Sequence, residues 1–196
     1  MELRNLFISK VRVKLLQIFF DNPNELYYVR QLVRKADEEI NAVRRELEHL
    51  GKAGLLKKEP RGNRLYYWLD KNCSYFDDLA SMVAKNVGLG KEILKNRNKL
   101  GKISFALLSG KFIKRISRRE DEVDLLIVGE MVMPELAALV RAEEARREQE
   151  INYTVMTNQE FAFRKQRRDP FLLSILTSSR IMIIGDEEKM LEISGS

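Results

Sequence analysis

Cysteine and histidine are almost absent: the chain has one of each, Cys73 and His49. A single cysteine excludes an intramolecular disulfide, and the pair leaves too few thiolate or imidazole donors for a zinc site built by this chain. The same scarcity argues against nucleophilic catalysis through a Cys/His or Ser/His pair. His49 stands beside Leu47 and Leu50 in a helical pattern, where it reads as a packed or a solvated histidine. No apolar run approaches the roughly 20 residues that a membrane span needs. The N-terminal MELRNLFISK has no apolar core followed by a small-residue cleavage site. The expectation is a cytoplasmic protein with no membrane partner.

What is present is charge. Of 196 residues, 33% are charged and 44% hydrophobic, the balance of a soluble globular protein, and the length suits two small domains. A net charge of +6 and a pI near 9.4 favour a polyanionic partner. The charge is uneven: Lys91 to Arg119 is strongly basic, whereas Asp186 to Glu192 is mainly acidic. The basic stretch reads as a phosphate-bearing surface or as a solvated helix face.

The first seventy residues carry helical patterns and then a strand pattern. SKVRVKLLQIFFDN places Val11, Leu15, Ile18 and Phe19 on one face, with Ser9 as N-cap and Asn22-Pro23 as the stop. YVRQLVRK gives a short second helix with Val29, Leu32 and Val33 inward. A break near Ala36-Asp37 leads to a third, EEINAVRRELEHLGKAG, in which Ile40, Val43, Leu47 and Leu50 form the buried stripe. The opposite face then presents Asn41, Arg44, Arg45 and Glu48. LLKKEPRGNRLYYWLD reads as two strands joined by a Pro60-Arg61-Gly62-Asn63 turn.

Three helices and a basic hairpin, with NAVRRELEHLGKAGLL as the third helix and the hairpin's entry, resemble a winged helix-turn-helix of the arsenic-repressor-like class over Ser9 to Asp70. The resemblance implies binding to double-stranded DNA. A major groove admits one α-helix, whose exposed side chains must hydrogen-bond to base edges. Asn41, Arg44 and Arg45 meet that need, since arginine pairs bidentately with guanine and asparagine with adenine. Arg61 and Arg64 on the wing reach phosphate or the minor groove, and Arg30, Gln31, Arg34, Lys35, Lys58 and Asn63 complete the expected contact set. Glu38, Glu39 and Glu48 oppose the charge of that surface. YFDDLASMVAKNV, with Phe76, Leu79, Ala80 and Val83 at helical spacing, follows as a dimerisation helix or a core helix. One short helix contacts few bases, so a homodimer is expected.

Beyond Val87-Gly88-Leu89-Gly90 the pattern changes. ISFALL, VDLLIVG, INYTVMT and RIMIIG read as strands, separated by helices at Pro134–Glu148, Gln159–Gln166 and Pro170–Leu176. Within this half, LLSGKFIKRISRREDEVDLLIVGE resembles the minimal nucleotidyltransferase domain of the DNA-polymerase-beta-like superfamily. That family places Gly-Ser at a helix start after the first strand and an Asp-hydrophobic-Asp pair on the second, with a third acid on a later strand. The resemblance implies two magnesium ions bridging nucleotide phosphates. Here Gly110 stands in the glycine position, Lys111 replaces the serine, and Arg115 falls where a second glycine is common. Glu122 replaces the first aspartate and Asp124 retains the second, as a pair on one side of a strand. Asn152 and Thr154 on the strand INYTVMT offer no third carboxylate.

Three readings of that stretch follow. It is a catalytically silent scaffold for dimerisation or ligand sensing, in which Glu122 and Asp124 are vestigial and an ion pair with Lys111 stands in for metal. It is a nucleotide site without transfer, using Gly110, Lys111, Lys114 and Arg118. Or it is an active transferase that moves a nucleotide to protein, RNA or a small molecule with Mg²⁺ and a nucleoside triphosphate, a reading that extends to a toxin-antitoxin component. The first is preferred, with no metal or cofactor expected. The whole chain then resembles regulators that join an arsenic-repressor-like winged helix to such a domain. It is an α+β protein with a DNA-binding domain over residues 1–72, a connecting or dimerisation helix over 73–90, and a small α/β nucleotidyltransferase-like sheet domain over 91–196. Its effector is not specified.

Overall fold

The computed structural model describes residues 5–192; Met1 to Arg4, part of the stretch read as non-secretory, and residues 193–196 lie outside the described residues. The fold is mixed α+β, with several helices and two small β-sheets. It divides into two compact units, residues 1–87 and 88–196. None of the described helices is long and apolar enough to cross a membrane.

Unit 1 begins with α1 (Lys10–Asp21), capped by Ser9, whose Oγ accepts the Arg12 amide at 3.2 Å. Its buried residues are Val13, Leu15, Leu16, Phe19 and Phe20. Val11 and Ile18, expected in the stripe, are only half-buried. The apolar arc is wider and rotated because α1 is wrapped on several sides. Phe19 meets Tyr27 edge-on at 5.5 Å, and Phe20 meets Phe76 of α4 (Phe76–Ala84) at 5.3 Å. A short strand β1 (Tyr27–Tyr28) leads into α2 (Val29–Ala36), which ends at Asp37 in the left-handed region, φ 50°. In α3 (Ile40–Lys52) the carboxylate of Glu39 accepts the amides of Asn41 and Ala42 at 2.8 and 3.1 Å.

The buried face of α3 is Val43, Glu46, Leu47 and Leu50, with Ile40 half-buried. Glu46 is the addition, 5% exposed and held by Arg12 Nε at 2.7 Å. Burial raises its pKa, but the hydrogen bonds from Arg12 and Ser9 outweigh that and leave it below the ordinary glutamate value. The hairpin is β2 (Leu56–Arg61) and β3 (Arg64–Leu69), in register from Leu56 opposite Leu69 to Arg61 opposite Arg64. The turn is therefore only Gly62-Asn63, not the expected four residues. Pro60 tolerates the outer strand because that strand is an edge, and Gly62 supplies φ 60°. β1 pairs with β3 on its other side, Tyr27 opposite Tyr67 and Tyr28 opposite Tyr66. Two residues are too few for a strand pattern, so this third strand escaped sequence reading.

Unit 2 carries a four-stranded sheet in the order β6-β5-β4-β7. β4 (Gly101–Ser109) and β5 (Leu125–Met131) are antiparallel at its centre; β6 (Tyr153–Met156) runs parallel to β5, and β7 (Arg180–Ile184) antiparallel to β4. Around them lie α5 (Gly88–Lys95), α6 (Arg97–Leu100), α7 (Gly110–Lys114), α8 (Met133–Arg147), α9 (Asn158–Gln166), α10 (Pro170–Thr177) and α11 (Glu187–Leu191). Leu125 to Val128 are all buried, as a central strand covered on both faces requires. The core gathers Leu107, Leu126, Met156, Phe161, Leu172 and Met190. Of the expected inward residues of α8, Leu136 and Val140 are buried and Leu139 half-buried.

Helix α8 also buries a carboxylate. Glu143, 5% exposed, takes Arg147 Nε at 2.6 Å and Arg146 Nη2 at 2.7 Å. Arg147 in turn stacks on Phe112, 3.8 Å from the ring centre, and donates to the Phe112 carbonyl at 3.1 Å, so it ties α8 to α7. Burial pushes Glu143 up, yet its hydrogen bonds to Arg146 and Arg147 hold it below the usual glutamate pKa. Replacing Glu143 with glutamine leaves Arg147 without its carboxylate and should destabilise the unit by about 3–5 kcal/mol, read as an earlier urea midpoint. A depressed folded-state pKa contributes stability that is complete above the ordinary glutamate range and is lost as pH falls through the folded value. The gap between parent and Glu143→Gln should therefore close on acidification; a gap constant from neutral to acidic pH would refute the pairing's role.

Candidate functional site

In unit 1, α2, α3 and the hairpin enclose a groove of about 960 Å³. Arg30 and Arg34 of α2, Arg44 of α3, Lys58 of β2, Asn63 of the turn and Arg64 of β3 stand on its walls. Six of the eleven residues expected to contact DNA thus converge from two helices, both hairpin strands and the turn between them. Among the described residues none of the five cations has a carboxylate at ion-pair distance, so their charge is available to a ligand. The one acid on the wall, Glu48, is turned to Lys52 at 2.9 Å, and that hydrogen bond holds its carboxyl below the usual range. The other two acids of this surface are also engaged: Glu38 pairs with Lys14 at 2.7 Å, and Glu39 caps α3.

The remaining five residues lie off the groove wall. Asn41 and Arg45 are exposed on α3. Arg61, at the hairpin tip, pairs with Glu59 at 3.1 Å. Lys35 is exposed and sits 5.8 Å over the Tyr27 ring. Gln31 has a local duty, its Oε1 accepting the Tyr28 amide at 3.1 Å at the start of α2.

Two tyrosines that sequence reading did not assign to the site organise its cations. Tyr28 and Tyr66 are cross-strand partners with ring centres 5.8 Å apart. The Arg64 guanidinium lies 4.6 Å over Tyr28, Arg34 Nη2 donates to the Tyr28 hydroxyl at 3.3 Å, and Arg61 lies 5.8 Å over Tyr66. The ring stack lowers the freedom of three long side chains before any ligand arrives. The signal was the tyrosine pair in ELYYVR, invisible until β1 is paired with β3.

In unit 2 the acidic pair lies just ahead of β5, not on the strand as expected; the Asp124 amide and carbonyl bond to Asn152 and Ser109 at 2.7 and 2.9 Å. Lys111 Nζ meets both oxygens of Glu122 at 2.7 Å, and this hydrogen bond holds Glu122 below the usual glutamate pKa. Arg118 Nε meets Asp124 Oδ2 at 2.6 Å, and the Asn152 amide donates to the same oxygen at 3.0 Å. Asp124 is 3% exposed. Asn152 Nδ2 donates to the Glu122 carbonyl at 2.8 Å, so the asparagine holds the segment's backbone.

Gly110 and Lys111 open α7, while Lys114 closes it. The Gly110 amide donates to the Ser179 carbonyl at 2.6 Å, and a Cβ at residue 110 would run into the Ser179 side chain. The Phe112 amide is taken by Ser109 Oγ at 3.1 Å. This glycine is thus required by close packing, and two amides of the helix start are already engaged. The donor set does not fit a pair of divalent cations: each carboxylate has a cation against it, where metals need uncompensated anions. Among the described residues no group of three or more His, Cys, Asp or Glu is placed to hold a metal ion.

Comparison with protein-family models, with curated proteins and with solved structures finds no match for this chain.

The two ion pairs differ in burial, and so in consequence. Arg118→Gln strands the buried Asp124 carboxylate and should cost about 3–5 kcal/mol in a urea titration. Lys111→Gln, at a pair that solvent reaches, should leave the midpoint almost unmoved. Equal effects of the two replacements would contradict this ranking.

Proposed function

We propose that the chain is a sequence-specific transcriptional regulator that binds double-stranded DNA as a homodimer. Its N-terminal unit works as a winged helix-turn-helix, and its second unit is a nucleotidyltransferase-like scaffold used for dimerisation or ligand sensing. The observation that carries the reading is the groove of unit 1, where Arg30, Arg34, Arg44, Lys58 and Arg64 converge without ion-pair partners. These exposed cations can take a polyanion without giving up a carboxylate, and phosphate is the polyanion whose contacts orient a helix in a groove.

Roles within this reading follow from position. Exposed Asn41, Arg44 and Arg45 on α3 read base edges in the major groove. Arg34, Lys58 and Arg64 hold phosphates on either side, with Arg64 and Arg34 steadied by Tyr28. Arg61 and Asn63 at the hairpin tip reach the flanking backbone or minor groove. A second copy supplies the other half-site, since one such helix spans too few base pairs for a specific complex.

The transferase reading is less well supported, because Glu122 and Asp124 are each held by a cation and Asn152 stands beside them where a third acid would be needed. Labelled nucleoside triphosphate with Mg²⁺ tests it directly. Transfer that disappears in Asp124→Asn would restore it.

Selection of genomic DNA fragments followed by anisotropy titration at several salt concentrations tests the DNA reading. Arg44→Ala should cost about 1–3 kcal/mol against the selected sequence and relax preference at one base position. Lys58→Ala should weaken all sequences alike and reduce the salt slope by about 1. Unchanged affinity of Arg44→Ala and Arg45→Ala for the selected fragment would sink the assignment of α3.

A further inference from the structure

Unit 2 contains a pocket of about 510 Å³ between the segment ahead of β5 and the length of α10 with the residues that follow it. Its apolar surface comes from Leu107, Val123, Phe171 and Ile175. A volume of this order suits a small organic molecule, and a mainly apolar wall with a few polar groups is the usual composition of such a site.

The charged groups at this pocket decide what kind of molecule it takes. Four cations line it, Lys111, Arg118, Arg119 and Arg180. Each has a carboxylate of the protein against it. Lys111 holds Glu122 at 2.7 Å, Arg118 holds Asp124 at 2.6 Å, Arg119 lies 3.3 Å from Asp121, and Arg180 holds Glu187 at 2.7 Å. An anionic ligand would have to displace one of these carboxylates, and a metal ion would have to displace an ammonium or guanidinium. Either exchange removes an existing pair to make a new one, so neither charge class gains.

Uncharged hydrogen bonding, by contrast, remains open. The Ser179 hydroxyl is exposed and has no partner among the described residues. It is a donor on the pocket wall, and a carbonyl or ether oxygen is its complement.

We infer that this pocket binds an uncharged organic molecule with an apolar body and a hydrogen-bond-accepting oxygen, and that it does not bind a metal–nucleotide complex. The site belongs to unit 2 alone and stands whether or not unit 1 binds DNA.

Nile red, an uncharged solvatochromic dye with a ring carbonyl, is a suitable probe of the full-length chain without DNA. Saturable, blue-shifted emission is expected. Ser174→Trp and Ser178→Trp place bulk in the pocket and should each weaken binding by about tenfold or more, a loss of about 1.4 kcal/mol. Phe163→Ser, which removes a large exposed apolar side chain on α9 outside the pocket, should leave binding intact. Circular dichroism confirms that each variant is folded, and if one tryptophan variant is not, the other decides. Absence of saturable binding overturns the inference, as does binding that survives tryptophan in a folded variant or vanishes with Phe163→Ser. Displacement of the dye by Mg-ATP, or tighter binding of the anionic dye anilinonaphthalene sulfonate, overturns the choice of an uncharged ligand.

Discussion

Three carboxylates are buried among the described residues, Glu46, Asp124 and Glu143, and each is met by an arginine. The constraint is electrostatic. An ionised carboxylate removed from water is tolerated only when a cation and further hydrogen bonds replace its hydration. The guanidinium suits the task better than an ammonium because its planar donors serve several acceptors at once. Arg118 donates to Asp124 and to the Arg119 carbonyl, and Arg147 to Glu143 and to the Phe112 carbonyl while stacking on the Phe112 ring. Of the three pairs, the first joins α1 to α3, the second fixes the segment ahead of β5, and the third, within α8, orients Arg147 to reach the Phe112 carbonyl of α7.

The same constraint separates the two candidate sites. A net charge of +6 says only that cations are in excess; their pairing says where the excess can act. In unit 2 three cations near the end of the basic run, Lys111, Arg118 and Arg119, are held by acids of the same segment. In unit 1 the acids are turned elsewhere, Glu38 to Lys14, Glu48 to Lys52 and Glu39 to the start of α3, so the groove keeps its cations uncompensated. Density of basic residues in sequence and availability of positive charge in space are therefore different quantities.

Much of this was legible in the residues. Periodicity located α1, α2 and α3 and the four strands of the second sheet, because apolar residues at spacings of three, four and two leave few alternatives. The exposed face of α3, Asn41, Arg44, Arg45 and Glu48, followed directly from its buried one. What escaped had either too little sequence to show a period or the wrong residue type for its environment. β1 is two residues long and exists through pairing with β3, and Tyr28 acquires its place over Arg64 only then. Glu46 and Glu143 look like solvent-facing charges until a distant or neighbouring arginine makes burial tolerable. The hairpin turn shortened because Pro60 tolerates an edge strand.

The surroundings of the acidic pair of unit 2 decide what its carboxylates can do. A carboxylate that binds metal must keep at least one oxygen free of competing cations, and it must face others of its kind. Asp124 keeps its position, but its Oδ2 takes a guanidinium and a backbone amide, while Glu122 gives both oxygens to one ammonium. Lys111 near the helix start and Arg118 surround the pair with positive charge, and Asn152 beside it adds no carboxylate. Gly110 is likewise accounted for by packing: Ser179 lies too close for a Cβ at that position. Ion pairing and packing alone thus account for each of these residues, and the cations that line the pocket beside them already have carboxylate partners.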